Sequence, residues 1–289
     1  MIKRSFGRFL RRSGLDLLSP SILLLIAVFV LPLVLLFPTS LHPYIPGQGI
    51  GDAWTLENYV AILTDPFYLE IIARTLGLGL FVVVATLVVG YPLAYFLART
   101  RSALRPWLII LVVFPLLLNL VVRSFGWIVL LSNYGLVNET LAWIGLIEEP
   151  LQLMFNFTGL IIGLSHIFLP FMVLVLIGTI QGIPQEVEDA AYTLGASKLT
   201  VLRKVTLPLS VPGILSGAIL VFVLTISALV TPRLLGGPTY QVMSTLIYDE
   251  FLSNLNWPKG AAMAFILTVI VLVLVWGAGR VAKRWAEIR

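Results

Sequence analysis

Ile183-Pro184-Gln185-Glu186-Val187-Glu188-Asp189-Ala190-Ala191-Tyr192-Thr193-Leu194-Gly195-Ala196-Ser197-Lys198, running on to Val205-Thr206-Leu207-Pro208, is a charged passage inside a strongly apolar chain. Pro184 suits the first turn of a helix, where a missing N–H costs nothing. Glu186, Glu188 and Asp189 then sit near the positive end of the helix dipole. Val187, Ala190, Ala191 and Leu194 recur at three- and four-residue spacing and form one apolar face. Gly195 stands where a left-handed C-cap ends the helix. A second short helix is predicted from about Ser197, carrying Leu199, Leu202 and Val205, with Pro208 as punctuation before the next apolar run. Small alanines on an exposed face permit close approach by another protein. A membrane chain has little reason to keep such a structured, mixed-charge projection unless something docks on it.

The rest of the chain makes the membrane its solvent. Of 289 residues, 59% are hydrophobic and 11% charged, and the mean hydropathy is +1.01. A soluble domain carries about twice that share of charge. Six apolar runs are long enough to span a bilayer as helices. They cover about 20–37, 71–97, 107–131, 159–180, 211–230 and 261–278. Strand-like alternation is absent, so a barrel is not expected. The chain is expected to be one transmembrane domain over residues 1–289, with an N-terminal segment 1–18 and a loop of about 182–208 between the fourth and fifth spans.

Basic residues give the orientation. With the N-terminus inside, fifteen of the nineteen Lys and Arg fall on the cytoplasmic side. They are Lys3, Arg4, Arg8, Arg11, Arg12, Arg99, Arg101, Arg105, Lys198, Arg203, Lys204, Arg280, Lys283, Arg284 and Arg289. Nine acids, from Asp52 to Glu250, fall outside. Both termini are therefore expected in the cytoplasm. The first apolar run reads as an uncleaved anchor, because Phe37-Pro38-Thr39-Ser40-Leu41 lacks a small-x-small cleavage pattern. In the first outer loop, Thr55 is predicted to cap a short surface helix with Leu56, Tyr59, Val60 and Leu63 on its apolar face.

Several classes are excluded. The chain has no cysteine and two histidines, so disulfides, thiolate metal sites, cysteine nucleophiles and a histidine metal cluster are out. No paired carboxylates or nucleophile constellation supports an enzyme. A secondary transporter or channel, the competing class, would call for ion-coupling carboxylates in the span centres, and none is seen. The basic residues at the two ends are explained as well by anionic lipid as by a protein partner. The distribution of charge gives no reason to expect nucleic acid.

Asp189-Ala190-Ala191, three residues, Gly195, nine residues, Val205, one residue, Leu207-Pro208 resembles the cytoplasmic signature of permease subunits of binding-protein-dependent ABC importers. The family usually has Glu where Asp189 stands, and Glu188 beside it can share that role. Leu56-Glu57-Asn58-Tyr59, Gly90-Tyr91-Pro92-Leu93-Ala94-Tyr95, Gly135-Leu136-Val137-Asn138 and Leu169-Pro170-Phe171-Met172 are similar to the first-permease subunit of spermidine/putrescine importers. So are Asn119, Arg123 and the Trp257-Pro258 turn.

The resemblance implies an all-α type I importer permease with six spans and a cytoplasmic coupling helix, in a bacterial inner membrane. Glu186, Glu188, Asp189, Ala190, Ala191, Gly195, Leu207 and Pro208 would then make the contact with an ATPase. It implies three kinds of partner: a cytoplasmic ABC ATPase dimer, a second permease subunit and a periplasmic or lipid-anchored binding protein. ATP and Mg would belong to the ATPase, because this chain has no Gly-x-x-x-x-Gly-Lys-Ser/Thr loop. The expected solute is a polyamine or a related small organic solute, with organic acids, phosphonates or ferric iron as alternatives.

Polar residues within spans are the pathway candidates. Asn119, Arg123 and Trp127 follow one another at one-turn spacing in the third span. Arg123 is an odd ligand for a cationic solute. His166 in the fourth span reads first as a packed, hydrogen-bonded core histidine. Thr225 and Ser227 in the fifth read first as bonded to their own helix backbone. Gly213 and Gly217 offer a face for close helix packing.

Overall fold

The computed structural model describes residues 18–287, with side chains as far as Arg280. The basic residues Lys3, Arg4, Arg8, Arg11, Arg12 and Arg289, and the side chains of Lys283 and Arg284, lie outside the described residues. Among the described residues, six helices are long and apolar enough to cross a membrane: Leu18–Ser40, Pro66–Arg99, Leu120–Trp143, Phe157–Gln181, Lys198–Ser227 and Trp257–Arg280. Helix is the form that satisfies every backbone group in hydrocarbon. The one sheet among the described residues is a hairpin pairing Tyr44 with Ile50 and Ile45 with Gly49.

The third span differs from the uninterrupted helix expected over 107–131. A helix over Arg105–Val113 tightens into a 3-10 turn at Phe114–Leu117, Leu118 and Asn119 are extended, and helix resumes over Leu120–Leu131 and, after a turn at 132–135, over Leu136–Trp143. The cause is local: Pro115 removes a backbone donor, and the Asn119 side chain accepts from Val121 N at 2.8 Å, capping the second helix. The fifth span also departs from expectation. No separate short helix precedes it, and Pro208 does not interrupt the chain. Helix runs continuously over Lys198–Ser227, with a π turn at Leu202–Thr206 in which Leu207 N bonds Leu202 O. The wider turn just ahead of Pro208 makes room for a ring that clashes with an ordinary helical turn.

The chain divides into two compact units. One comprises residues 18–64 with Ile247–Ile266. Here Asn58 Nδ2 donates to Ser40 O and His42 O, Ser40 Oγ bonds Tyr59 OH at 2.7 Å, and Lys259 pairs with the buried Glu250 at 3.3 Å. Thr55 Oγ1 accepts from Glu57 N, so the expected cap is present at the helix Glu57–Thr64. Its buried residue is Ile62; of the anticipated apolar face, Tyr59 is half-buried and bonded to Ser40, while Leu56, Val60 and Leu63 are exposed.

The other unit comprises Asp65–Leu246 with the end of the sixth span. Its core is built from the second, fourth and fifth spans around Leu78, Val82, Leu164, Met172, Leu176 and Val221. Gly213 allows a close approach of two spans. A Cβ there would stand 2.1 Å from Thr179 Oγ1, so the fourth and fifth spans pack backbone to side chain at this level.

Candidate functional site

The helix that follows the fourth span runs Gln185–Thr193, with Pro184 as its N-cap residue rather than inside its first turn. Glu186 and Glu188 lie in that first turn. Its end is a complete Schellman motif. Gly195 N bonds Tyr192 O at 2.9 Å, Ala196 N bonds Ala191 O at 3.1 Å, and Gly195 has φ +83°. Ser197 then caps the next helix, its Oγ accepting from Thr200 N.

The resemblance lets Glu188 share the role of Asp189. The fold separates them. Glu188 is 3% exposed, and its Oε1 accepts from Arg99 Nη2 at 2.7 Å, Arg99 Nε at 3.1 Å and Thr206 Oγ1 at 2.8 Å. Arg99 Nη2 also donates to Ile183 O at 3.2 Å. Breaking such a buried pair by removing one member costs about 3–5 kcal/mol, because the other charge is left uncompensated. Asp189, Glu186 and Ala190 are exposed, and Ala191 is half-buried. Val187 is 42% and Leu194 88% exposed, so the apolar face of this helix is uncovered. Leu207 is exposed and Pro208 half-buried on the fifth span.

Arg99 and Thr206 escaped the sequence reading. In the sequence Arg99 is one of the basic residues that set the topology, and Thr206 has no local signal beyond its place within the loop motif. Arg101 Nη2 adds a longer contact to Gln185 Oε1 at 3.3 Å.

The pathway candidates fall into three places. Trp127 and His166 meet: Trp127 Nε1 donates to His166 Nδ1 at 3.1 Å, and the rings meet edge to face at 5.3 Å. Arg123 lies one turn before Trp127, half-buried, with Nε and Nη1 enclosed and without a hydrogen-bond partner among the described residues. Asn119 is exposed at the break in the third span, as the cap described above. Thr225 lies apart from these, buried in the core and bonded to Val221 O at 2.7 Å. Ser227 is exposed and bonds Val223 O at 2.9 Å.

A further polar cluster, not anticipated, sits at the other end of the second span. Glu70 pairs with Arg74 one turn on, and the Arg74 guanidinium lies 5.3 Å over the Tyr240 ring. Tyr240 leans on Phe157, which meets Phe81 edge to face. Burial pushes the Tyr240 phenol above its ordinary value, so it stays a neutral hydroxyl at physiological pH.

Residues 83–287 match the family described as the binding-protein-dependent transport system inner membrane component. The spermidine/putrescine transport system permease protein PotB of Escherichia coli (strain K12) is 35% identical over 267 residues, which is 91% of this chain and 97% of that protein. Among solved structures, a bacterial ABC transporter involved in the import of the acidic polysaccharide alginate aligns with a TM-score of 0.74 at 22% identity. It covers 97% of this chain and 99% of that one. A bacterial alginate ABC transporter in complex with an alginate pentasaccharide-bound periplasmic protein aligns at 0.76 and 22%, covering 98% and 96%. At that identity the two structures speak for the fold.

Proposed function

The chain belongs to the family of binding-protein-dependent transport system inner membrane components, and from that premise we propose that it is a permease subunit of an ATP-driven importer of spermidine, putrescine or a close relative. It works as a multi-pass inner-membrane transport subunit. The observation that carries the solute is the 35% identity to a spermidine/putrescine permease over nine-tenths of the chain. A second permease completes the pathway, and a binding protein delivers solute from outside. ATP is hydrolysed by a separate cytoplasmic ATPase dimer.

The loop helix Gln185–Thr193 is the piece that meets the ATPase. What supports this is its uncovered apolar face, Val187 and Leu194, set beside the exposed carboxylates of Glu186 and Asp189. Both termini, and this loop, lie in the cytoplasm by the distribution of basic residues.

One observation favours a second reading. A half-buried guanidinium within a span, whose Nε and Nη1 are enclosed and find no hydrogen-bond partner among the described residues, suits an anion better than a polyamine. Under that reading the same fold imports a small organic acid or phosphonate, and Arg123 touches it.

The test is ATPase activity of the assembled transporter in liposomes with its binding protein, across spermidine, putrescine, aminobutyrate, an aminophosphonate and ferric iron. Stimulation by the two polyamines is expected. Stimulation by an acid or phosphonate instead would overturn the polyamine assignment and promote Arg123 to a substrate contact.

A further inference from the structure

We propose that Arg99, Glu188 and Thr206 form a clamp that makes the loop helix one rigid body with the second and fifth spans, so that Glu188 positions the helix while Asp189 is left to face the ATPase. The proposal rests on the reading of this helix as the ATPase contact and assigns different work to its two adjacent acids. Arg99 is the last residue of the second span, and Thr206 closes the π turn that leads into the fifth. Glu188 projects from the loop helix between them and accepts from both. The second Arg99 bond, to Ile183 O, holds the strand of chain by which the loop leaves the fourth span. The second span, the exit of the fourth, the fifth span and the loop helix therefore meet at one ion pair, Arg99 with Glu188.

The clamp has a second tie behind it. Tyr91, about two turns back along the second span, bonds Ser210 Oγ at 2.9 Å, one turn on from Thr206. Tyr91 and Ser210 are both buried. Further along, the fourth and fifth spans close on each other at Gly213 and Thr179. A push on the loop helix thus reaches packed helices directly, with no flexible connection in between. Packed interfaces move as bodies rather than deform continuously.

Burial argues against Glu188 as the docking acid. An ATPase residue reaching it would have to displace a charge-assisted bond at 2.7 Å from a site that is 3% exposed. Asp189, one residue on, is exposed on a different face of the same helix.

Two measurements decide the proposal. The first is amide hydrogen exchange over residues 185–196 of the purified chain, with Glu188→Gln and with the charge swap Arg99→Glu plus Glu188→Arg. Glu188→Gln is expected to speed exchange about tenfold or more, as loss of a buried pair loosens the helix, and the swap to restore most of the protection. Unchanged exchange in Glu188→Gln, or a swap that restores nothing, overturns the clamp.

The second measurement uses the absence of cysteine from this chain. Arg99→Cys and Glu188→Cys are joined by a short bis-maleimide in the complete transporter with cysteine-free partners. A rigid body tolerates the link, so binding-protein-stimulated transport should return to within about threefold of wild type, as expected of a gap of well under 1.4 kcal/mol. If the link forms and transport stops, the helix must move against the second span, and the proposal is wrong. Failure of the functional reading is seen separately, as a wild-type transporter whose ATPase no binding protein stimulates. The exchange measurement still decides the clamp in that case.

Discussion

Gly195 holds the loop helix to its length. With φ +83° and both Schellman bonds in place, a residue with a β-branched side chain is strained there by about 1–2 kcal/mol, while asparagine is tolerated. Gly195→Val should therefore lower the melting temperature of the assembled transporter and weaken its hold on the ATPase, and Gly195→Asn should do neither. Equal melting for the two variants would remove the left-handed cap from the account. Arg123 supports the opposite kind of prediction. An arginine at the centre of a span costs about 2.5–3.5 kcal/mol, and two nitrogens of Arg123 have no hydrogen-bond partner among the described residues. Arg123→Met should stabilise the isolated chain in detergent, and it should abolish transport only if Arg123 touches the solute, with Arg123→Lys then partly active. A destabilised Arg123→Met chain would mean that the guanidinium is already satisfied within this subunit.

The broken third span and the widened turn of the fifth both come from proline, with different outcomes. At Pro115 the helix ends, because Asn119 offers a cap and the backbone of Leu118 goes extended. At Pro208 the helix continues, because a π turn in the preceding residues absorbs the ring. Non-helical backbone at membrane depth persists where protein or a water-lined cavity can satisfy it. Leu117, Leu118 and Asn119 are exposed, so among the described residues nothing covers the break. Pro115→Ala combined with Asn119→Leu should let the two helices fuse. Transport is then expected to fall about tenfold or more with little change in the amount of protein in the membrane, read by uptake and by immunoblot. Full uptake by the fused variant would make the break incidental.

Across the molecule, large apolar side chains such as Leu23, Phe29, Val122 and Leu272 lie open on the spans, as a chain bathed in lipid requires. The absence of cysteine permits a direct test of how the spans are threaded. Single substitutions Ser102→Cys and Ser197→Cys should react with a membrane-impermeant maleimide only after the cells are opened. Asp52→Cys and Glu148→Cys should react from outside. The reverse pattern would turn the topology over and remove the loop helix from the ATPase side.

What could be read from residue order alone was whatever lipid or local capping dictates. Hydrocarbon forces a helix on each apolar run, so the six spans were legible from composition and length, with most boundaries within about five residues of the helices formed, the third span and the early start of the fifth excepted. The loop helix was legible for the same reason, since its acids, its face and Gly195 all act within one or two turns. The break at Pro115–Asn119 had a local signal, a proline followed by a capping side chain, that was overridden by the unbroken apolar run around it. The anchorage of Glu188 had no such signal. Arg99 is 89 positions away, and Trp127 meets His166 across 39. Apolar periodicity names the greasy side of a helix but not its neighbour, since lipid and a second helix satisfy that side almost equally well. Only the packing of the second, fourth and fifth spans brings Arg99 and Thr206 to one carboxylate, and so divides two adjacent acids into one buried tie and one exposed carboxylate.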